Sequence, residues 1–430
     1  MITKEERERI IQLVKREVVP AIGCTEPIAV ALCVSKAVET LGERPELIDV
    51  YLSANILKNA MGVGIPGTGM TGLPIAIALG ALIGKSAYGL EVLKDCNPNA
   101  VEEGKRMIEE KIIKIGLKEG ITDKLYIEVQ CKAKDNSAKA IICKTHTNFI
   151  YIAKGDHIIL DKHASGESGF NCAEPEVELS MHKVFEFATT APLDEISFIL
   201  EARKLNESAA QQALKGCYGH ELGKILSRPL GKGIMGESIF SHILSSTSCA
   251  CDARMAGAMI PVMSNSGSGN QGICATNPVV VFAEENHNTD EELTRALMLS
   301  HLTAIYIKQS LGSLSALCGC VVASTGSSCG ITYLMGGNYG QVTAAVKNMI
   351  ANLTGMICDG AKPSCALKLT SGVSTAVLSA LLAMQQQCVS SVEGIIDDDV
   401  DKSIHNLTSI GADAMNETDR MVLNIMTHKS

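Results

Sequence analysis

Residues 309–346 read QSLGSLSALCGCVVASTGSSCGITYLMGGNYGQVTAAV, and none of these 38 residues is Asp, Glu, Lys or Arg. A membrane span needs only about 20 consecutive apolar residues, but Ser, Gly, Thr, Asn and Gln interrupt this stretch throughout. Small residues of this kind let helix backbones approach closely. The stretch therefore predicts tightly packed helices inside a globular protein, and no membrane partner is expected.

The two halves of the chain differ in their hydrophobic periodicity. After residue 190 nearly all apolar positions follow a helical period. In the first half, helical spacing occurs at 3–18, 25–41 and 99–116. Strand patterns occur at 49–53 and in three segments between 124 and 154. We predict an α+β, mainly α fold, with a small antiparallel sheet in an α+β region at 1–190 and a helical domain at 191–430.

The composition excludes several classes of function. The 430 residues are 46% hydrophobic and 20% charged, which is typical of a globular protein. A net charge of −9, 3% aromatic residues and no Trp give no support to nucleic-acid binding. The 16 cysteines follow a charged N-terminal segment unlike a signal peptide. We therefore predict a cytoplasmic protein with reduced thiols.

Two glycine-rich segments resemble ligand-binding loops. GSGNQG at 267–272 fits the spacing of a dinucleotide loop, but no strand pattern precedes it. GIPGTGMTG at 64–72 lacks the Lys-Ser/Thr ending of an ATP-binding loop. Backbone amides in such loops can still bind a carboxylate.

The segment SANILKN at 53–59, just before the glycine-rich loop at 64–72, carries polar side chains within one helical turn. Asn55, Lys58 and Asn59 would suit a small substrate with a carboxylate and an amino group. The alternative is a tight turn with an exposed lysine, and the sequence leaves both open.

Cys24 lies in AIGCTEP at a predicted helix start. The positive end of a helix lowers the pKa of a thiol, and a thiolate can act as a base. A buried thiol in a turn is the alternative.

The second half contains a further set of cysteines. Cys318, Cys320 and Cys329 lie in the uncharged stretch, and Cys358 and Cys365 follow. Their spacing matches neither a zinc ribbon nor a ferredoxin. Three thiolates with one open site would suit a catalytic cluster, whereas the alternative is a group of core thiols on packed helices.

Taken together, these motifs resemble the L-cysteine desulfidase and L-serine dehydratase α-chain family of iron–sulfur lyases. The shared blocks are GCTEP, SANILKNAMGVGIPGTG, SNSGSGNQG, LCGC and MICDGAKPSCALK, and they extend over most of the chain. The resemblance implies a [4Fe-4S] cluster with one open iron, bound by Cys318, Cys358 and Cys365. It also implies that Cys24 abstracts a proton from the substrate.

The resemblance further implies a set of substrate contacts. These contacts are Asn55, Lys58, Asn59, Ser264, Asn265, Ser266 and Asn270. Cys274, Cys320 and Cys329 are interpreted as core thiols or neighbours of the ligands. Pyridoxal phosphate is not expected, and a homo-oligomer is possible.

Two departures from the dehydratases favour cysteine as the substrate. The spacer CDGAKPSC is shorter than theirs, and their Ser-Ser-His-Thr motif is missing from the sequence. The chain also ends in MTHKS, so no C-terminal thiol can reach the open iron. The predicted reaction is α,β-elimination of L-cysteine to pyruvate, ammonia and sulfide. The alternatives are an L-serine dehydratase, a non-catalytic cysteine or redox sensor, and a structural zinc protein.

Overall fold

The structure is a computed structural model that describes residues 2–121, 123–162, 177–312 and 315–428. The strands are β1 (Pro20–Ala21), β2 (Leu47–Leu52), β3 (Ile113–Leu117), β4 (Tyr126–Ala133), β5 (Asn136–Cys143), β6 (Phe149–Lys154), β7 (His157–Asp161) and β8 (Val262–Met263). The helices of the first half are α1 (Lys4–Glu17), α2 (Thr25–Leu41), α3 (Ala54–Ala60), α4 (Leu73–Leu82), α5 (Pro98–Glu109) and α6 (Met181–Thr190). Those of the second half are α7 (Leu193–Ile196), α8 (Leu200–Lys215), α9 (Leu222–Ser227), α10 (Pro229–Met235), α11 (Ile239–Met255), α12 (Gly269–Glu285), α13 (Asp290–Leu311), α14 (Gly319–Leu334), α15 (Tyr339–Leu353), α16 (Cys365–Met384), α17 (Val400–Ser409) and α18 (Asn416–Thr427).

The predicted α+β, mainly α fold class is confirmed. A six-stranded sheet has the order β3-β2-β4-β5-β6-β7, and α2 packs on β4 and β5 with α4 beside it. A second, two-stranded antiparallel sheet joins β1 to β8. The larger sheet is mixed rather than purely antiparallel, because β2 and β3 run parallel.

The helix predicted at 99–116 is too long. The Asn97 side chain caps α5 by accepting a hydrogen bond from the Ala100 amide at 3.1 Å, and the helix ends at Glu109. Residues 113–117 instead form the edge strand β3, in which Ile113 pairs with Ile48. The apolar residues Ile113 and Ile115 alternate with Lys114 and Gly116. This alternation is typical of a strand, and it directly follows the helical pattern of α5.

The uncharged stretch forms the centre of the helical half. Helix α14 contacts α12, α13, α15 and α16 and is buried along almost its whole length. A Cβ atom at Gly326 would lie 2.2 Å from the carbonyl oxygen of Ser300 on α13. Small residues therefore permit close packing here, as the sequence predicts.

Helix α16 is long and apolar enough to cross a membrane by length and composition alone. Half of its most apolar window is buried inside the protein, where α16 packs against α11, α14 and α15. A core helix passes the same test of length and composition.

Within the described residues, two large hydrophobic cores and a small cluster around Ile141 are found, and the first and last helices of the chain link the two halves. Ile10 and Val14 of α1 join the core of the helical half, whereas Leu423 of α18 joins the core of the sheet half. The domain division at residue 190 stays a prediction.

Close backbone contact also fixes the first turn of α12 against β8. A Cβ atom at Gly272 would lie 1.9 Å from the carbonyl oxygen of Met263. We expect Gly272→Ala to lower the free energy of unfolding by about 3 kcal/mol, because neither backbone segment has space to move. Gly233 on α10 has no atom within 4 Å of its Cβ position, so Gly233→Ala should leave stability unchanged or raise it by about 0.5–1 kcal/mol. Urea unfolding followed by circular dichroism tests both variants, and equal stability of the two would contradict this account.

Candidate active site

Four of the predicted reactive cysteines line one cavity of about 120 Å³. They are Cys24, Cys318, Cys358 and Cys365. Cys24 follows β1, whereas the other three belong to the helical half. The cavity therefore lies where the α2 end of the sheet half meets the helical core.

Helix N-termini account for much of the cavity wall. Cys24 immediately precedes α2, Cys318 precedes α14, and Cys365 is the first residue of α16. Ser268 precedes α12 and also lines the cavity. Each N-terminus carries unpaired N–H groups and a partial positive charge. Four such ends around one cavity favour anionic groups such as thiolates and carboxylates.

A short antiparallel bridge brings Cys318 next to the segment of Cys358. Leu317 pairs with Ile357. The Cys318 amide donates to the carbonyl oxygen of Met356 at 2.9 Å, and the Cys358 amide donates to that of Ala316 at 2.6 Å. These bonds fix two of the predicted cluster ligands relative to each other across 40 residues of sequence.

The loop from Cys358 to Cys365 is fixed by a close approach to α3. Gly360 has φ +89°, and a Cβ atom there would lie 2.2 Å from the carbonyl oxygen of Lys58. Glycine alone fits such a position. The Cys365 amide donates to the carbonyl oxygen of Lys362 at 2.8 Å, which closes the turn before α16.

Burial affects the acidity of the thiols. It raises the pKa of Cys358 and Cys365, and Cys318 raises both further. The pKa of Cys318 is also raised, first through a hydrogen bond with Cys320 and then through burial. Cys320 thus lies beside a predicted ligand, and it lines the cavity as well. Its own thiol donates to the carbonyl oxygen of Lys368 at 3.0 Å.

The sequence argument that the helix end lowers the pKa of Cys24 is wrong. Burial raises the pKa of this thiol to about 12. The guanidinium of Arg254 opposes that rise, with Nη2 lying 3.7 Å from Cys24 Sγ. Desolvation of the thiolate outweighs the helix end, so the nearby cation is the main feature that favours ionisation.

Arg254 is a site residue that the sequence analysis missed. Its side chain is 3% exposed and lines the cavity. Nη1 donates to Asn270 Oδ1 at 3.0 Å, and Nη2 donates to the carbonyl oxygen of Gly23 at 3.0 Å. The signal was available, because Arg254 is the only Arg or Lys in α11. A charge inside an apolar helix is seldom buried without a partner or a function.

The predicted substrate contacts separate into two groups. Asn59 and Asn270 line the cavity. The others do not line it, and they are Asn55, Lys58, Ser264, Asn265 and Ser266. Their direct contact with substrate stays a prediction.

The contacts of these other residues show what they do in the ligand-free protein. Lys58 is 1% exposed and forms an ion pair with Asp419 on α18. Asn265 donates through Nδ2 to His301, to both its ring Nδ1 and its carbonyl oxygen, each at 3.1 Å. The Ser264 hydroxyl donates to the Val19 carbonyl oxygen at 2.6 Å. These side chains support the walls of the cavity from behind.

Two charged residues of opposite sign complete the wall, and the sequence analysis named neither. Lys308, in the last turn of α13, directly precedes the uncharged stretch, and burial lowers its pKa to about 8. Glu26, in the first turn of α2, accepts a hydrogen bond from Asn59 Nδ2 at 3.3 Å. Both residues line the cavity only because α2 and α13 meet there, and the sequence does not show that contact.

The chemistry of the three thiols can be compared with that of known cysteine ligands. Within the described residues, no group of three or more His, Cys, Asp or Glu side chains could hold one ion. Iron–sulfur clusters bind each cysteine to a different iron, so their ligands surround a larger body. Cys318, Cys358 and Cys365 are free thiols in one cavity surrounded by cations and helix N-termini. This donor set fits a cluster bound by three cysteines.

Comparison with known proteins gives a consistent family match. The model of the serine dehydratase alpha chain family matches residues 87–424, which include all three of these cysteines. A UPF0597 protein of Phocaeicola vulgatus is 71% identical over 430 residues, covering 100% of this chain and 99% of the relative. A UPF0597 protein of Bacteroides thetaiotaomicron is 70% identical over 426 residues, with 99% of each chain covered. One from Oleidesulfovibrio alaskensis is 46% identical over 426 residues, again with 99% of each chain covered.

Proposed function

The chain belongs to the serine dehydratase alpha chain family, and from this premise we propose that it is an iron–sulfur lyase that eliminates sulfide from L-cysteine. Family membership by itself indicates a lyase of amino-acid metabolism. L-cysteine as the substrate, the [4Fe-4S] cluster and the cytoplasmic location are the finer parts of the proposal.

One observation carries the proposal: a candidate base and three candidate cluster ligands line the same cavity. A β-elimination needs a group that removes the α-proton and a group that stabilises the departing sulfur. Cys24 is suited to the first task, and the three thiols could hold a group suited to the second. The four convergent helix N-termini and Arg254 favour the negative charges that such a reaction involves.

In the proposed site, Cys318, Cys358 and Cys365 would hold the [4Fe-4S] cluster. When bound, its open iron would supply Lewis-acid chemistry to the sulfur that leaves. Cys24, ionised with the help of Arg254, takes the proton from the α-carbon. The electron pair of that C–H bond forms the double bond between the α- and β-carbons, and the bond between the β-carbon and sulfur breaks. Aminoacrylate then hydrolyses to pyruvate and ammonia.

We expect L-cysteine to be preferred over L-serine. The cavity wall includes Leu317, which directly precedes Cys318, and also Ala361 and Leu369. A serine hydroxyl desolvated against apolar groups loses about 1–3 kcal/mol if it finds no hydrogen-bond partner. The kcat/KM for L-serine should therefore be about 5- to 150-fold lower than that for L-cysteine. Pyruvate release from both substrates under anaerobic conditions measures this ratio, and an equal or higher value for serine would indicate a dehydratase.

The first experiment separates this proposal from its alternatives. The protein is purified without oxygen, its visible spectrum is recorded, and its iron and acid-labile sulfide are counted. A cluster together with sulfide release from L-cysteine supports the lyase. A cluster without turnover would indicate a sensor, and a colourless zinc-containing preparation would indicate a structural zinc protein.

A further inference from the structure

Three cationic side chains line the cavity, and two of them are already engaged. Arg254 Nη1 and Nη2 donate to Asn270 and Gly23, and Nε faces Gly269, where a Cβ atom would lie only 2.2 Å away. Lys368 donates to the carbonyl oxygen of Ile357 at 2.7 Å and pairs with the Asp359 carboxylate. Arg254 and Lys368 thus already form hydrogen bonds within the protein, and Nε of Arg254, which lies against Gly269, is buried without a partner.

Lys308 differs from both. Its side chain lines the cavity, and no hydrogen bond or ion pair to its ammonium is found among the residues that the structure describes. Burial has the largest effect on the pKa of Lys308 and lowers it. Cys358, Cys318 and Glu26 raise this pKa, and the like charge of Lys124 lowers it. A partly buried ammonium without a partner is costly unless a ligand pairs with it.

Glu26 supplies the opposite charge. It is the only Asp or Glu lining the cavity within the described part of the chain. Its Oε1 accepts from Asn59 Nδ2 at 3.3 Å, and its Oε2 accepts from the Thr25 hydroxyl at 3.2 Å. These neutral donors orient the carboxylate without neutralising its charge. Each oxygen can accept a further hydrogen bond.

We infer that Lys308 binds the α-carboxylate of the amino-acid substrate and that Glu26 binds its α-ammonium. This inference rests on the proposed function. An amino acid at neutral pH carries both charges on groups attached to one carbon, and the cavity wall offers one partner for each. Holding both groups fixes the α-carbon near Cys24, which lies on the same wall two residues before Glu26. Lys308 thus takes the role that the sequence analysis gave to Lys58.

Three unreactive ligands test the two contacts separately. L-alanine carries both charges, propionate carries only the carboxylate, and L-alaninamide carries only the ammonium. None has a leaving group, so binding to the cluster-loaded full chain can be measured by ligand-observed NMR without turnover. Lys308→Met should weaken binding of L-alanine and propionate roughly 10- to 100-fold, the range for a lost charged hydrogen bond, and leave L-alaninamide nearly unchanged. Glu26→Gln should weaken L-alanine and L-alaninamide similarly and leave propionate nearly unchanged.

Control variants exclude general effects. Lys308→Arg should retain more binding of L-alanine than Lys308→Met, because it keeps the charge. Lys204→Met removes a lysine from the exposed side of α8 and should bind all three ligands like the wild type. Thermal unfolding checks that each variant is folded.

Two results would overturn the inference. One is normal binding of L-alanine and propionate to folded Lys308→Met, and the other is equal weakening of all three ligands in both variants. Failure of the proposed function gives a different result, in which L-alanine binds in the charge-dependent manner above but the wild type releases no sulfide from L-cysteine.

Discussion

Cys24→Ala should abolish sulfide release while the protein keeps its cluster. A general base contributes about 10²- to 10⁴-fold to a rate, so kcat for L-cysteine should fall by about that factor. The visible spectrum and the iron and sulfide counts should match those of the wild type, because Cys24 is the proposed base and not a ligand. Steady-state kinetics and metal analysis on one anaerobic preparation test both parts of this expectation.

Helix α2 offers a matched control. Cys33 is also a buried thiol of this region, but it faces the sheet, where Sγ donates to the carbonyl oxygen of Ala140 at 3.4 Å. Cys33→Ala should therefore cost some stability and little activity. Loss of the cluster in Cys24→Ala would mean that this thiol is a ligand or a structural residue. Full activity would remove it from the mechanism.

Cys318→Ser should lose the cluster and all activity with it. The hydroxyl is a poor ligand for iron because it does not ionise as a thiol does. The expected result is a colourless or unstable preparation with much less than the wild-type iron content. Iron and sulfide analysis after anaerobic reconstitution measures the effect, and Cys358→Ser and Cys365→Ser should behave alike.

Cys329 provides the comparison for this substitution. It lies on α14, the helix that Cys318 directly precedes, and it is completely buried, but it does not line the cavity. Cys329→Ala should bind the cluster normally. If Cys318→Ser keeps its full iron content and Cys329→Ala loses it, the assignment of the ligands is wrong.

The fold could be predicted where local pattern and tertiary packing agree. The glycines and serines of the uncharged stretch predict close helix packing, and Gly326 against Ser300 shows it. The prediction failed at Ile113–Leu117, where the helical period of α5 continues into a strand period. Pairing with β2 decides that segment, and a contact across 65 residues of chain is not visible in a local pattern.

For the candidate site, the sequence identified cysteines that line the cavity but not the charged residues beside them. Cysteines in characteristic sequence blocks could be identified individually. Which of the two lysines lines the cavity could not be predicted, because Lys58 and Lys308 are both single lysines beside apolar residues. Only the fold shows that Lys58 meets Asp419, whereas Lys308 reaches the cavity. The pKa of Cys24 depends in the same way on burial and on Arg254, which comes from a distant helix.

The pairing of Lys58 with α18 has a consequence for biosynthesis. Lys58 also donates to the carbonyl oxygen of Cys358 at 3.5 Å, so its position helps to define the loop of that proposed ligand. Its partner Asp419 lies 361 residues later and leaves the ribosome correspondingly late. Until then the ammonium has no counter-charge and is costly to bury. We therefore expect Lys58 and the loop of Cys358 to reach their final positions only after α18 has been translated and has packed beside α3.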